Sequence, residues 1–109
     1  MDEKFGKFVR NKREKKKINL RKLAEILEIA PAYMSDMGKA RRYPPDKEKL
    51  AKIAETLELT EDEANAMYDY AALAKENSVS PDLPEYIMET DNVRVALRKA
   101  RWKRKLMSL

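Results

Sequence analysis

Apolar residues recur along this chain at intervals of three and four, the period of a helix with one buried face. Phe5, Phe8 and Val9 open the pattern and predict a helix over residues 3–16, with Lys7, Arg10 and the Lys15-Lys16-Lys17 run on its outward side. Leu20, Leu23, Ala24 and Leu27 predict a short second helix, and Asn19 before it has a side-chain oxygen able to accept from a free backbone N–H. Ile29 stands alone, and Pro31 then opens a third run through Tyr33, Met34 and Met37. Proline suits a first helical turn, where its missing donor costs nothing. Leu50, Ile53, Ala54 and Leu57 form the core stripe of a fourth helix over about 46–57. Thr60-Glu61-Asp62-Glu63 reads as a capping box that starts a fifth, through Met67, Tyr68, Tyr70 and Leu73.

Residues 77–84, Asn-Ser-Val-Ser-Pro-Asp-Leu-Pro, have the polar and proline content of a linker. They divide a unit over residues 1–76 from an arm over 77–109. In the arm, 85–88 predicts a short turn, and Thr90 or Asp91 caps a last helix running to about residue 105. On a helical wheel Val93, Ala96, Leu97 and Ala100 share one face, while Val95, Trp102, Leu106 and Leu109 lie near the opposite one. One apolar face is expected to pack on the chain's own domain. The other is left for a second chain, with Val95, Trp102 and Leu106 as the dimer contact and Trp102 as its anchor.

Helices two and three, separated by about three residues, have the spacing of a helix-turn-helix. Leu23-Ala24, Leu27, Ile29, Met34-Ser35, Pro44-Pro45, Leu50, Ile53-Ala54 and Leu57 fall at the core positions of the phage-repressor-like (Xre/Cro) helix-turn-helix family, which the chain resembles over residues 5–59. The resemblance implies an all-α fold: a five-helix DNA-binding domain followed by a C-terminal helical arm. Five positions depart from the family pattern. Leu20 replaces a glutamine that reaches phosphate. Glu28 and Ala30 replace a turn glycine and a capping Ser or Thr, which predicts a looser turn. Gly38 stands where the family carries a glutamate paired with an arginine, here Arg13, so Arg13 is expected to lose its partner. Ala40 stands where glycine commonly ends the helix. Gly38 itself reads either as a helix end shifted a turn early or as a point of close backbone approach.

Charge sharpens this picture. Residues 1–42 hold 13 lysines and arginines against 6 acids, residues 43–92 hold 4 against 13, and residues 93–109 hold 7 against none. A basic block coinciding with the two-helix segment is the footprint expected of phosphate neutralisation, with the acidic middle facing away from a duplex. The resemblance assigns base-edge contacts to the start of the third helix, at Ala32, Tyr33, Ser35, Asp36 and Lys39, beside Pro31. Ala32 and Tyr33 can meet a thymine methyl, and Asp36 can accept from cytosine N4. Tyr33 can equally be a core-edge aromatic and Asp36 merely solvated. Between residues 31 and 39 there is no arginine or glutamine, the strongest base readers, so help from DNA shape or from Arg41 and Arg42 is expected. Phosphate contacts fall to Asn19, Arg13, Arg21, Lys22, Arg41 and Arg42, within a wider cationic set that includes Arg10, Lys12, Lys15, Lys16, Lys17 and Lys39. The basic tail from Arg98 to Lys105 has three candidate roles: phosphate contact, dimer contact, or ion-pair partner of the acidic block.

The chain has no cysteine and no histidine, so disulfides, thiol and imidazole catalysis and Cys/His zinc sites are excluded. No nucleophile–base pair, phosphate loop or metal-ligand cluster can be assembled, so a non-enzyme without cofactor or metal is expected. With no apolar run of about 18 residues, the expected location is cytoplasmic rather than membrane-bound. These readings converge on a homodimeric regulator of double-stranded DNA, with a repressor role implied by the family resemblance. The alternative is a protein-interaction module, such as an antitoxin holding a toxin, with DNA binding secondary.

Overall fold

The computed structural model describes residues 3–75 and 79–107, and these are all-helical: α1 (Lys4–Lys15), α2 (Leu20–Ile26), α3 (Pro31–Gly38), α4 (Lys47–Thr56), α5 (Glu61–Leu73), α6 (Pro84–Glu89) and α7 (Asp91–Met107). No helix among the described residues is long and apolar enough to cross a membrane. Helices α1 to α5 share one core. Leu23, Leu27, Leu50, Ile53 and Met67 are its most completely buried large side chains, joined by Phe5, Val9, Met34 and Met37. Each fully buried aliphatic side chain contributes about 1.5–3 kcal/mol, so this cluster is the main reason five short helices hold together. Phe8 lies at the edge of the core rather than inside it, 5.7 Å from the Tyr70 ring.

The starts of α2, α4 and α5 are fixed by local chemistry. Asn19 Oδ1 accepts from Lys22 N at 2.7 Å, and Asp46 Oδ1 accepts from Lys49 N at 3.0 Å. The capping box is complete: Glu63 N donates to Thr60 Oγ1 at 3.2 Å and Thr60 N to Glu63 Oε1 at 2.9 Å. Ala30 starts α3 without a side-chain cap, as its sequence predicts, with Pro31 in the first turn.

The ends of α1 to α4 follow one plan. In each, the second residue past the helix is left-handed: Lys17, Glu28 and Ala40 at φ 57° and Glu58 at φ 50°. In each, the next residue's N–H reaches back five positions: Ile18 to Arg13 O, Ile29 to Ala24 O, Arg41 to Asp36 O and Leu59 to Ala54 O, at 2.8 to 3.1 Å. These are Schellman turns made without glycine. The looser turn expected after α2 is therefore absent, because Glu28 adopts the conformation a glycine would supply. Three of the turns send an aliphatic residue, Ile18, Ile29 or Leu59, back against the core. That contact offsets the roughly 1–2 kcal/mol that a left-handed L-residue costs.

Where α1 meets α3 the backbones touch. A Cβ on buried Gly6 would stand 2.4 Å from the Gly38 carbonyl oxygen, so this closeness requires glycine at position 6. Gly38 is the last residue of α3 but does not take the left-handed position that closes the helix, which falls two residues later at Ala40.

The arm departs from expectation. Of the linker expected over 77–84, residues 79–84 are described, and there Ser80 is buried and donates from its hydroxyl to Asp69 of α5; positions 77 and 78 lie outside the described residues. Residues 84–89 form a full short helix, α6, and α7 packs chiefly on it. Arg94 ties the pair by donating to the Met88 carbonyl. Among the described side chains of α7 only Val93 and Arg94 are even half-buried, whereas Ala96, Leu97 and Ala100 are exposed. The face expected to pack on the chain's own domain is thus uncovered beyond Val93, because the six residues of α6 are too few to lie along a 17-residue helix. The molecule measures 50 × 25 × 21 Å with a radius of gyration of 16.3 Å. A compact chain of this length would have about 13 Å, and the projecting arm accounts for the difference.

Candidate nucleic-acid interface

Helix α3 buries Met34 and Met37, three residues apart, against the core, and this fixes which side chains face outward. Pro31, Ala32 and Lys39 are exposed, while Tyr33, Ser35 and Asp36 are half-buried at the margins. The five base-contact candidates are thus exposed or half-buried, with Tyr33 packed against the edge of the core.

The loop after α3 engages two of them. The Arg42 guanidinium stacks over the Tyr33 ring at 5.3 Å, and Arg41 Nη1 lies 4.0 Å from Asp36 Oδ1. Neither pairing is apparent in the hydropathy pattern. Tyr33 is both a core-edge aromatic and the platform of a cation, and Asp36 is partnered rather than merely solvated. Arg41 owes its position to the Schellman turn that ends α3: where the other three turns place an aliphatic residue, this one places an exposed cation.

Of the phosphate candidates, Arg21 and Lys22 are exposed in the first turn of α2. With Lys39 they have no carboxylate within 4 Å among the described residues. Asn19 is exposed, but its side-chain oxygen is engaged as the cap of α2, which leaves the amide N–H groups for any further partner. Arg13 has replaced an acidic partner with a backbone one: Nη1 donates to Ile18 O at 2.9 Å. It thereby ties the last turn of α1 to the segment that leads into α2.

The rest of the cationic block is divided. Lys15 and Lys17 are exposed, and Arg10 pairs with Glu14 at 3.0 Å. Lys12 turns inward instead: it sits 5.5 Å from the centre of the Phe8 ring and forms an ion pair with Glu63. Lys16 pairs with Glu58. The Lys12 ammonium, with the Thr60 N–H, holds the Glu63 carboxyl down at about 2, and the Lys16 hydrogen bond and charge lower that of Glu58. Two cations of the basic block thus serve to join α1 to the acidic segment around α5.

Among the dimer candidates, Val95 and Trp102 are 48% and 60% exposed, and Leu97 and Met107 are exposed on the same helix among its lysines and arginines. The side chain of Leu106 lies outside the described residues. No group of three or more carboxylates among the described residues is placed to hold a metal ion. Compared with protein-family models, curated proteins and solved structures, the chain matches none.

Proposed function

We propose that this chain is a sequence-specific DNA-binding transcriptional regulator, a repressor that acts as a homodimer. The observation that carries the reading is the outward face of α3, bordered by Arg21, Lys22 and Lys39, which have no acidic partner among the described residues, and by Arg41 and Arg42 on the following loop. A short helix packed on a second and flanked by exposed cations suits entry into a major groove, with the cations on phosphates. Ala32 and Tyr33 would meet thymine methyl groups, and Asp36 would accept from cytosine. Two copies joined through α7 would present two such helices, on half-sites roughly 34 Å apart. A bound dimer would then obstruct polymerase.

The test is fluorescence anisotropy with a duplex from the gene's own upstream region and a scrambled duplex, across a salt series. Competitor-resistant binding with a steep log–log salt slope, lost in Arg41→Glu/Arg42→Glu, is the expected result. Equal and weak binding to both duplexes would overturn specific recognition. A second reading, a module that holds a partner protein such as a toxin, draws on the uncovered Val95, Leu97 and Trp102 of α7. It predicts that the same double variant keeps its partner.

A further inference from the structure

Beside the closest approach of α1 and α3 lies a groove of about 390 Å³. Gly38 borders it on an open side: a Cβ built there would meet nothing within 4 Å. Its floor is apolar, made by Val9 of α1, Met34 and Met37 of α3 and Ile53 of α4. Its rim is cationic. Lys7, Arg10, Arg13 and Lys39 line it with Glu3 as the one acid, and Glu3 is matched by Lys7 at 3.4 Å. Arg13 is held in place by the Ile18 carbonyl through one Nη1 donor, and a guanidinium has five. Lys39 has no acidic partner among the described residues.

An apolar cavity with a few polar groups gathered at one edge is the ordinary form of a small-molecule site, and 390 Å³ lies within the usual range of about 300–1,000 Å³. Methionine floors adapt to varied apolar shapes. Cations confined to the rim select charge: a carboxylate there gains charge-assisted hydrogen bonds, while an ammonium is repelled. We infer that this groove binds a small amphipathic anion, an apolar monocarboxylate with an acyl chain of medium length, its head at Arg13 and Lys39 and its body over Met34 and Met37. Such a ligand touches the buried face of the helix whose outer face is proposed to meet DNA. It would thus act as an effector of that helix; this coupling rests on the functional reading above, whereas the binding itself does not.

The experiment uses the full-length protein with decanoate as probe and decylammonium as the opposite-charge control, reading the methyl NMR signals of Met34 and Met37. Decanoate is expected to shift both signals saturably below about 1 mM, as a modest ligand efficiency over a dozen heavy atoms implies. Decylammonium should leave them unmoved. Gly38→Leu, which places a side chain in the open space, should abolish the shift. Lys39→Glu, an exposed change, should weaken binding at least fivefold and serves if the first variant does not fold. Methyl signals that stay fixed with decanoate, that respond equally to both probes, or that respond unchanged in the folded variants would each overturn the inference. Because no DNA is present, failure here is separate from failure of the regulator reading.

Discussion

Gly6 and Gly38 face each other asymmetrically: a Cβ on Gly6 would stand 2.4 Å from the Gly38 carbonyl oxygen, while a Cβ on Gly38 would meet nothing within 4 Å. The two glycines therefore answer oppositely to alanine. Gly6→Ala must push backbone away from backbone and should destabilise by about 2–3 kcal/mol, the upper range for overpacking. Gly38→Ala, in a helix with no positive φ to lose, should stabilise by about 0.5 kcal/mol. Urea denaturation of the two variants checks both signs, and equal destabilisation would contradict the asymmetry.

Ala40 offers a second test of backbone against side chain. It holds φ 57° at the end of α3, a conformation glycine adopts without steric cost. Ala40→Gly should raise stability by about 0.5–1 kcal/mol, the relief of the left-handed penalty less the added freedom of the unfolded chain. Thermal unfolding followed by circular dichroism would register a rise of a few degrees.

Glu63 should give the acid limb of stability a recognisable component. Its carboxyl is lowered from the usual 4.5 to about 2 by the Lys12 hydrogen bond first and the Thr60 N–H second. A group lowered on folding stabilises above its unfolded pKa, and that stabilisation is lost as pH falls through the folded value. The loss therefore lies between about pH 4.5 and 2. Glu63→Gln should be less stable than the parent at neutral pH and should flatten the profile in that window; an unchanged slope there would show that another carboxylate carries it. Glu58, lowered by Lys16, contributes in the same direction.

The α7 surface predicts association. Val95→Ser with Trp102→Ser changes side chains that are about half or more exposed, so the monomer's stability should move by less than about 0.5 kcal/mol. The sedimentation of the full chain should shift from dimer to monomer. A wild-type protein that sediments as a monomer at high concentration would remove α7 as a self-association element.

What could be read from the residues alone was mostly what is local in the chain. The caps at Asn19 and Thr60–Glu63 involve neighbours three apart, and the buried stripes follow the helical period, so both are written in short windows. The Gly6–Gly38 contact joins residues 32 positions apart, and glycine at one position only hints at close approach without naming what approaches. The expected loss of a partner at Arg13 considered only side chains, whereas its acceptor is a backbone carbonyl, which every residue carries. Lys12 reads as one more surface cation until the fold brings Glu63 to it. On the candidate interface, the period correctly put Met34 and Met37 inward; the Arg42–Tyr33 stack depends on how the loop returns, which no periodicity encodes. The arm misled because amphipathicity says which face wants cover and not whether enough partner surface exists.

The four Schellman turns bear on how this body comes apart. Lys17, Glu28, Ala40 and Glu58 have no intrinsic preference for the shape they hold, and three of the turns are clamped by an aliphatic residue set against the common core. A joint of that kind cannot stay closed once the core loosens, so the helices have little reason to survive singly. Amide hydrogen exchange at Ile18, Ile29 and Leu59 should then occur through a single opening, with one shared free energy and one shared denaturant dependence, and the fraying typical of a row of short helices should be confined to the arm.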